Sequence, residues 1–252
     1  MKVHVLLRGQ HYVEDDTPFS HKFHKRNFMH IGKNFRHFCY EPLKQTFDVQ
    51  FYVITWDSPV ADVFEKICSK TILLPIENFN QKGFEQFDLV AQGLELIPKN
   101  DDSIVLILRL DTIFKKPVTE WFDFTSDFDI VVPYKETGPH YWDRYFMPWK
   151  NKASEHRISD IFHFLKNRNG NLDKFSRIVK VNPFDAHEIY DDLITEGFNV
   201  KFCVQDYYDS DTSKKMSIAV NPLFFLQRNY HYEIDWIGLK LNDEFGEPLY
   251  GF

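Results

Sequence analysis

The sequence predicts an α/β protein with a mainly parallel central sheet flanked by helices. Three observations lead there. Short apolar runs of strand length recur through the first half, at "KVHVLLRG", "VQFYVITWD", "KTILLPI", "SIVLILRLD" and "DIVVPY". Longer stretches between them repeat apolar residues at helical spacing. The resulting order of strand, helix and strand is that of crossover connections between parallel strands.

Taken in order, the first run carries Val3 and Val5 and stops at Gly9, as a buried strand does. Residues 17–47 place Phe19, Phe23, Phe28, Ile31, Phe35, Phe38 and Leu43 loosely at helical spacing among Lys and Arg. A second strand starts at Val49 and is stopped by Asp57-Ser58-Pro59. Residues 60–68 form a short helix, and the third strand is closed by Pro75. Phe84, Phe87, Ala91, Leu94 and Ile97 share one face of a helix that ends at Pro98. The fourth and fifth strands follow from Ser103 and Asp129.

After about residue 134 the pattern loosens into an aromatic, polar loop. "RISDIFHFLKNR" reads as a helix with Ile158, Ile161, Phe162 and Leu165 inward. A further helix starts at Asn182, with Pro183 in its first position, and ends at Gly197. A strand-like "NVKFCV" and a late apolar "MSIAVNPLFFLQR" complete the chain. No repeat or long linker divides it, so one domain is expected over 1–252, with a sheet-forming half (1–135) and a less regular half (136–252).

At 252 residues with 43% hydrophobic content, the chain can bury a sizeable core, which excludes global disorder. Its net charge of −7 and pI near 5.9 have the wrong sign for a dedicated nucleic-acid binder, and no nucleic-acid partner is expected. Cys39, Cys68 and Cys203 fit no zinc or disulfide spacing, which points to a reducing compartment. Arg8 interrupts the first apolar run too early for a signal peptide, and no run approaches the roughly 18 residues of a transmembrane segment. A cytoplasmic location is expected.

No G-x-G-x-x-G, G-x-x-x-x-G-K-[ST] or G-x-S-x-G motif is present. The candidate chemistry lies in "IVLILRLDTIF", residues 104–114, where an apolar strand ends on Arg109 and Asp111. Open α/β sheets bind ligands beyond the carboxyl ends of their strands. A carboxylate there can hold a divalent ion whose shell is completed by phosphate oxygens. The plain structural alternative is that Asp111 caps the following turn.

"LILRLDTIFKKPV", followed by "DIVVPYKE", resembles the metal-motif region of GT-A-type glycosyltransferases. It is similar, more narrowly, to small glycosyltransferases of bacterial surface-polysaccharide clusters and of large algal DNA viruses. For a viral chain the location becomes the host cytoplasm. In that superfamily the strand ends in Asp-x-Asp, whose last Asp binds the metal of the nucleotide-sugar diphosphate. Asp111 matches that last Asp, and Arg109 stands where the first belongs, the position that commonly contacts the ribose or the metal. A guanidinium there suits a carboxylate or a phosphate oxygen.

The resemblance implies Mn²⁺ or Mg²⁺ at Asp111 and a nucleotide-diphosphate sugar as donor. It also implies a glycan or glycoprotein acceptor, docked by the half beyond residue 135. It makes the ends of the first, second and fourth strands a nucleotide pocket, formed by Arg8, Gly9, Thr55, Asp57 and Arg109. Gly9 lets the chain approach a ligand closely. Asp57 can accept from a base or ribose, and Trp56 can stack, although it reads equally as core. Asp160 is the candidate base for the acceptor hydroxyl, against the plain reading of a carboxylate in a helix's first turn. His231 or Asp235 is a candidate late metal ligand, and Asp143 and Arg144 lie in the aromatic loop. His21, His24, His30 and His37 sit among Lys and Arg, as on a solvated basic helix. The alternative to an enzyme is a degenerate GT-A-type module that binds nucleotide or glycan without turnover. A sugar nucleotidyltransferase lacks support, since no Gly-rich loop follows the first strand.

Overall fold

A computed structural model describes residues 1–13, 26–78, 86–136, 158–181, 189–204, 207–208 and 223–226. Seven strands form the main sheet: β1 (Lys2–Arg8), β4 (Asp48–Trp56), β5 (Lys70–Leu74), β6 (Ser103–Arg109), β8 (Ile130–Val132), β10 (Phe162–Asn167) and β11 (Val200–Phe202). Their order is β11-β8-β10-β6-β1-β4-β5. β1 is parallel to β4 and β6, β4 to β5, and β8 to β11. β10 alone runs antiparallel, between β6 and β8. The mainly parallel sheet expected from the sequence is therefore present, and it draws strands from both halves of the chain.

Helices cover both faces. α1 (Phe28–Phe35) continues through a π-helical turn at Arg36–Tyr40 into α2 (Glu41–Thr46). The short α3 (Val63–Ile67) precedes β5. α4 (Gln86–Leu94) and α5 (Asn171–Val181) lie together, and α6 (Tyr190–Thr195) ends at Gly197, whose φ of +80° suits a helix terminus. Along β1, Val3, Val5 and Leu7 pack with Phe28, Phe35 and Phe64 on one face, while Leu6 packs with Phe87, Val90 and Leu94 on the other. Among the described residues no helix is long and apolar enough to cross a membrane.

Among the described residues three small pairings stand outside the main sheet: β2 (Tyr12–Val13) with β3 (Arg26–Asn27), β7 (Thr112–Phe114) with β13 (Phe224–Leu226), and β9 (Lys135–Glu136) with β12 (Tyr207–Tyr208). The late apolar segment thus reaches back to the residues after Asp111. Phe19, Phe23, Phe84 and the aromatic loop with Asp143 and Arg144 lie outside the described residues, as do Asn182 and Pro183.

The reading of residues 157–168 as a helix is corrected. The "DIFHFLKN" segment is a strand with a coiled approach, not a helix. Its apolar residues mimic helical spacing because β10 is buried on both faces. Phe162 and Phe164 pack on the side of Trp121, and Leu165 packs on the other side with Phe175. A strand buried on both faces loses the alternation that distinguishes it from a helix.

Two local constraints set the sheet's geometry. A Cβ on Gly93 of α4 would lie 2.7 and 2.8 Å from the two methyls of Leu6 and 3.0 Å from Ile54. Glycine there allows the helix to sit directly on β1 and β4. At the amino edge, Asp101 accepts from His4 Nε2 at 2.8 Å, Asn167 Nδ2 at 2.7 Å and Ser103 Oγ, and pairs with Lys2 Nζ at 3.0 Å. Burial opposes the Asp101 charge, but bonds from Ser103, His4 and Lys2 outweigh it and hold the carboxyl well below the usual range.

Gly93→Ala is expected to lower stability. Overpacking a filled core costs roughly 1–3 kcal/mol, and the gain of about 1 kcal/mol in helix propensity offsets only part of it. The shift of the urea midpoint measures the net effect. Asp101→Asn is expected to cost about 1–3 kcal/mol at neutral pH. Because the folded pKa is depressed, this contribution is present above the unfolded value near 4 and is lost as pH falls through the folded one. Denaturation curves at pH 7 and pH 3 are expected to show the gap between wild type and variant shrinking with acidification.

Candidate functional site

Arg8 ends β1, Arg109 ends β6, and the two are register partners on adjacent parallel strands. Their side chains therefore leave the same face side by side. Like charges one strand spacing apart and shielded from water repel strongly, so carboxylates are needed in the same volume.

Two carboxylates supply this. Asp111 takes Arg109 in a forked pair, Nε to Oδ1 and Nη2 to Oδ2, both at 2.9 Å. Asp160 lies between the arginines: its Oδ2 is 3.7 Å from Arg8 Nη2 and 3.6 Å from Arg109 Nη1, and its backbone carbonyl accepts from Arg8 Nη2. Side-chain exposure is 1% for Arg8, 3% for Asp111, 4% for Asp160 and 12% for Arg109. Arg109 is thus the most accessible of the four.

Burial lowers the Arg8 pKa to about 10, partly countered by Asp160 and Asp111, so the group stays cationic at neutral pH. Burial pulls on Arg109 too, but Asp111 and Asp160 outweigh it and raise its pKa above the ordinary value. Among the described residues, the buried Arg8 Nε has no hydrogen-bond partner.

The coiled approach to β10 places Asp160. Ile158 bridges to Lys135, and Ser159 N donates to the Tyr134 carbonyl at 3.1 Å. Asp111 is placed from the other side, where Leu110 N donates to the Arg8 carbonyl at 3.0 Å. Buried Asn34 of α1 then clamps the residues beyond it, donating to the Phe114 carbonyl at 2.9 Å and accepting from Phe114 N at 2.8 Å. An asparagine beside Ile31 and Phe35 on an apolar helix face was the available signal for this clamp.

The remaining candidates form a second cluster at the ends of β1 and β4. Thr55 Oγ1 donates to the Gly9 carbonyl at 2.8 Å, so it accepts from His11 Nδ1 at 2.6 Å. His11 Nε2 then accepts from Ser58 Oγ at 2.7 Å. Burial depresses the His11 pKa to about 4, against the pull of Asp57, and keeps the ring neutral as this relay requires. Gly9 has φ +96°, with nothing within 4 Å of a Cβ position, so its conformation rather than crowding calls for glycine. Asp57 is exposed at the rim, where its Oδ1 accepts from Ser58 N at 2.8 Å. Trp56 is buried in the core on the α4 face. His11 carried no distinguishing sequence signal, because its partners lie more than 40 residues away.

No family model matches the chain, and no curated protein matches it in sequence. Among solved structures it is similar to the glycosyltransferase GlyE of Streptococcus pneumoniae, with 9% identity and a TM-score of 0.43 over 79% of this chain and 44% of that one. It is similar to mouse xyloside xylosyltransferase 1, with 12% identity and a TM-score of 0.42, covering 79% and 77% of the two chains. A nucleoside-diphosphate-sugar pyrophosphorylase from Vibrio cholerae gives 11% identity and 0.43, covering 78% and 90%. The chain spans less than half the length of the pneumococcal protein.

The divalent metal implied at Asp111 does not fit the residues around it. Both Asp111 oxygens accept from Arg109, so a metal on either oxygen would have to displace or crowd a guanidinium. Among the described residues no three His, Cys, Asp or Glu side chains are grouped to hold a metal. His231 and Asp235 lie outside those residues, as do His21 and His24; His37 is exposed.

Asp111→Ala is expected to destabilise the fold by about 3 kcal/mol, because it leaves a largely buried guanidinium without its forked partner. Replacing both members, as Arg109→Met with Asp111→Leu, is expected to cost much less than the sum of the single changes. A double-mutant cycle by chemical denaturation measures the coupling.

Proposed function

We propose that the chain is a nucleotide-sugar-dependent glycosyltransferase of GT-A type. The observation that carries this reading is the pair of neighbouring guanidinium groups at the carboxyl ends of β1 and β6, the edge at which open α/β sheets take ligands. Paired guanidinium groups match the oxygens of a diphosphate, which accept forked hydrogen bonds. The resemblance of residues 106–136 to the metal-motif region of these enzymes supports the same reading.

In the proposed reaction the bond between the anomeric carbon and the diphosphate oxygen breaks, and its electron pair leaves with the nucleotide. A hydroxyl oxygen of a glycan or glycoprotein bonds to that carbon and gives up its proton to solvent water. Arg8 and Arg109 stabilise the charge gathering on the leaving diphosphate. Asp160, set between both arginines, is assigned a positioning role in place of the base suggested by its sequence context. Gly9 and Asp57 line the rim on the nucleotide side, and buried Thr55 holds the Gly9 carbonyl beneath them.

A second reading, a non-catalytic nucleotide- or glycan-binding module, draws on the sealing of Asp111 by Arg109. A hydrolysis and transfer screen over common nucleotide sugars, read by released nucleoside diphosphate, separates the two. The enzyme reading expects turnover of one donor, with Arg8→Met lowering kcat about a hundredfold, as loss of one preorganised charge-stabilising donor does. Binding without turnover of any donor selects the module.

A further inference from the structure

We propose that this centre meets its diphosphate with guanidinium groups alone: Arg109 stands in for a divalent cation and closes Asp111 to metal. The proposal rests on reading the crevice as a nucleotide-diphosphate site.

The first support is charge balance. Among the described residues, Arg8 and Arg109 are set against Asp111 and Asp160, two guanidinium groups to two carboxylates. A divalent ion on Asp111 would place two further positive charges against the Arg109 guanidinium in a volume that screens them poorly. Moving Arg109 aside instead would break two charge-assisted bonds of 2.9 Å.

The second support is the supply of donors. A guanidinium carries five N–H groups, and Asp111 occupies two of those on Arg109. Its Nη1 lies 3.6 Å from Asp160 Oδ2, beyond hydrogen-bond length. Asp111 thus fixes the fork from behind, as a carboxylate behind a ligating histidine fixes its ring, and the free edge of Arg109 is left for an anion. The unpartnered buried Nε of Arg8 is a further unmet donor in the same cluster, of the kind that marks a polar group awaiting a ligand.

The test has two readouts on the 252-residue chain. Mn²⁺ binding without nucleotide is followed by electron paramagnetic resonance for wild type, Asp111→Asn and Arg109→Asp. Binding of the nucleoside diphosphates UDP, GDP, ADP and CDP is followed by calorimetry in EDTA and in Mn²⁺. Wild type is expected to bind no Mn²⁺. Its best nucleoside diphosphate is expected to bind with the same affinity in both buffers, and about tenfold to a hundredfold more weakly in Arg109→Gln, the loss expected for hydrogen bonds to a charged partner. Arg109→Asp is expected to gain a Mn²⁺ site. Should that variant fail to fold by circular dichroism, the wild-type and Arg109→Gln measurements carry the test.

Mn²⁺ binding by wild type that disappears in Asp111→Asn overturns the proposal. So does nucleotide affinity that EDTA abolishes, or that Arg109→Gln leaves unchanged. If no nucleoside diphosphate binds in either buffer while wild type also rejects Mn²⁺, the nucleotide-sugar reading falls and the closure of Asp111 to metal stands.

Discussion

Two arginines end adjacent central strands in register, and the crevice edge is organised around neutralising them. Arg8 and Arg109 are about one strand spacing apart and largely shielded from water. Asp111 is local, two residues beyond Arg109, and corrects one charge through a forked pair. Asp160 comes from far along the chain and can reach both arginines only because β10 enters the sheet beside β6 from the opposite direction. The single antiparallel strand and the charge balance are thus one feature seen twice.

The same strands are held at their other end. His4 on β1, Ser103 on β6 and Asn167 on β10 converge on Asp101, while Arg8, Arg109 and Asp160 meet at the carboxyl edge. Apolar packing alone tolerates small slips, whereas polar groups with directional partners at both ends do not. Between these ends Gly93 brings α4 down onto Leu6 and Ile54. The arginines are therefore carried on rigid elements, as precise anion contacts require.

Much of the fold was legible because it is local. The β-branched runs that became β1, β4, β5, β6 and β8 stop at Gly9, Asp57, Pro75, Arg109 and Pro133, and such stops need no tertiary information. The α4 face was legible for the same reason. β10 was misread because Phe162, Phe164 and Leu165 are buried on opposite faces, which erases the period of two. The helix expected to end at Pro98 is α-helical to Leu94 and then tightens into turns, with Leu96 N donating to the Gly93 carbonyl and Ile97 N to the Leu94 carbonyl.

The candidate site divides along the same line. That Arg8, Thr55, Arg109 and Asp111 stand at the ends of buried strands is written in the chain, because an apolar run and the polar residue that stops it are neighbours in sequence. Which charge answers which is not. Arg8 and Asp160 are 152 residues apart, and His11 meets Thr55 and Ser58 across 44 and 47. Whether Asp111 faces an ion, a ligand or its own neighbour Arg109 depends on side-chain directions set by strand register. That register is settled by the packing of both sheet faces at once, and no local pattern of residues encodes it.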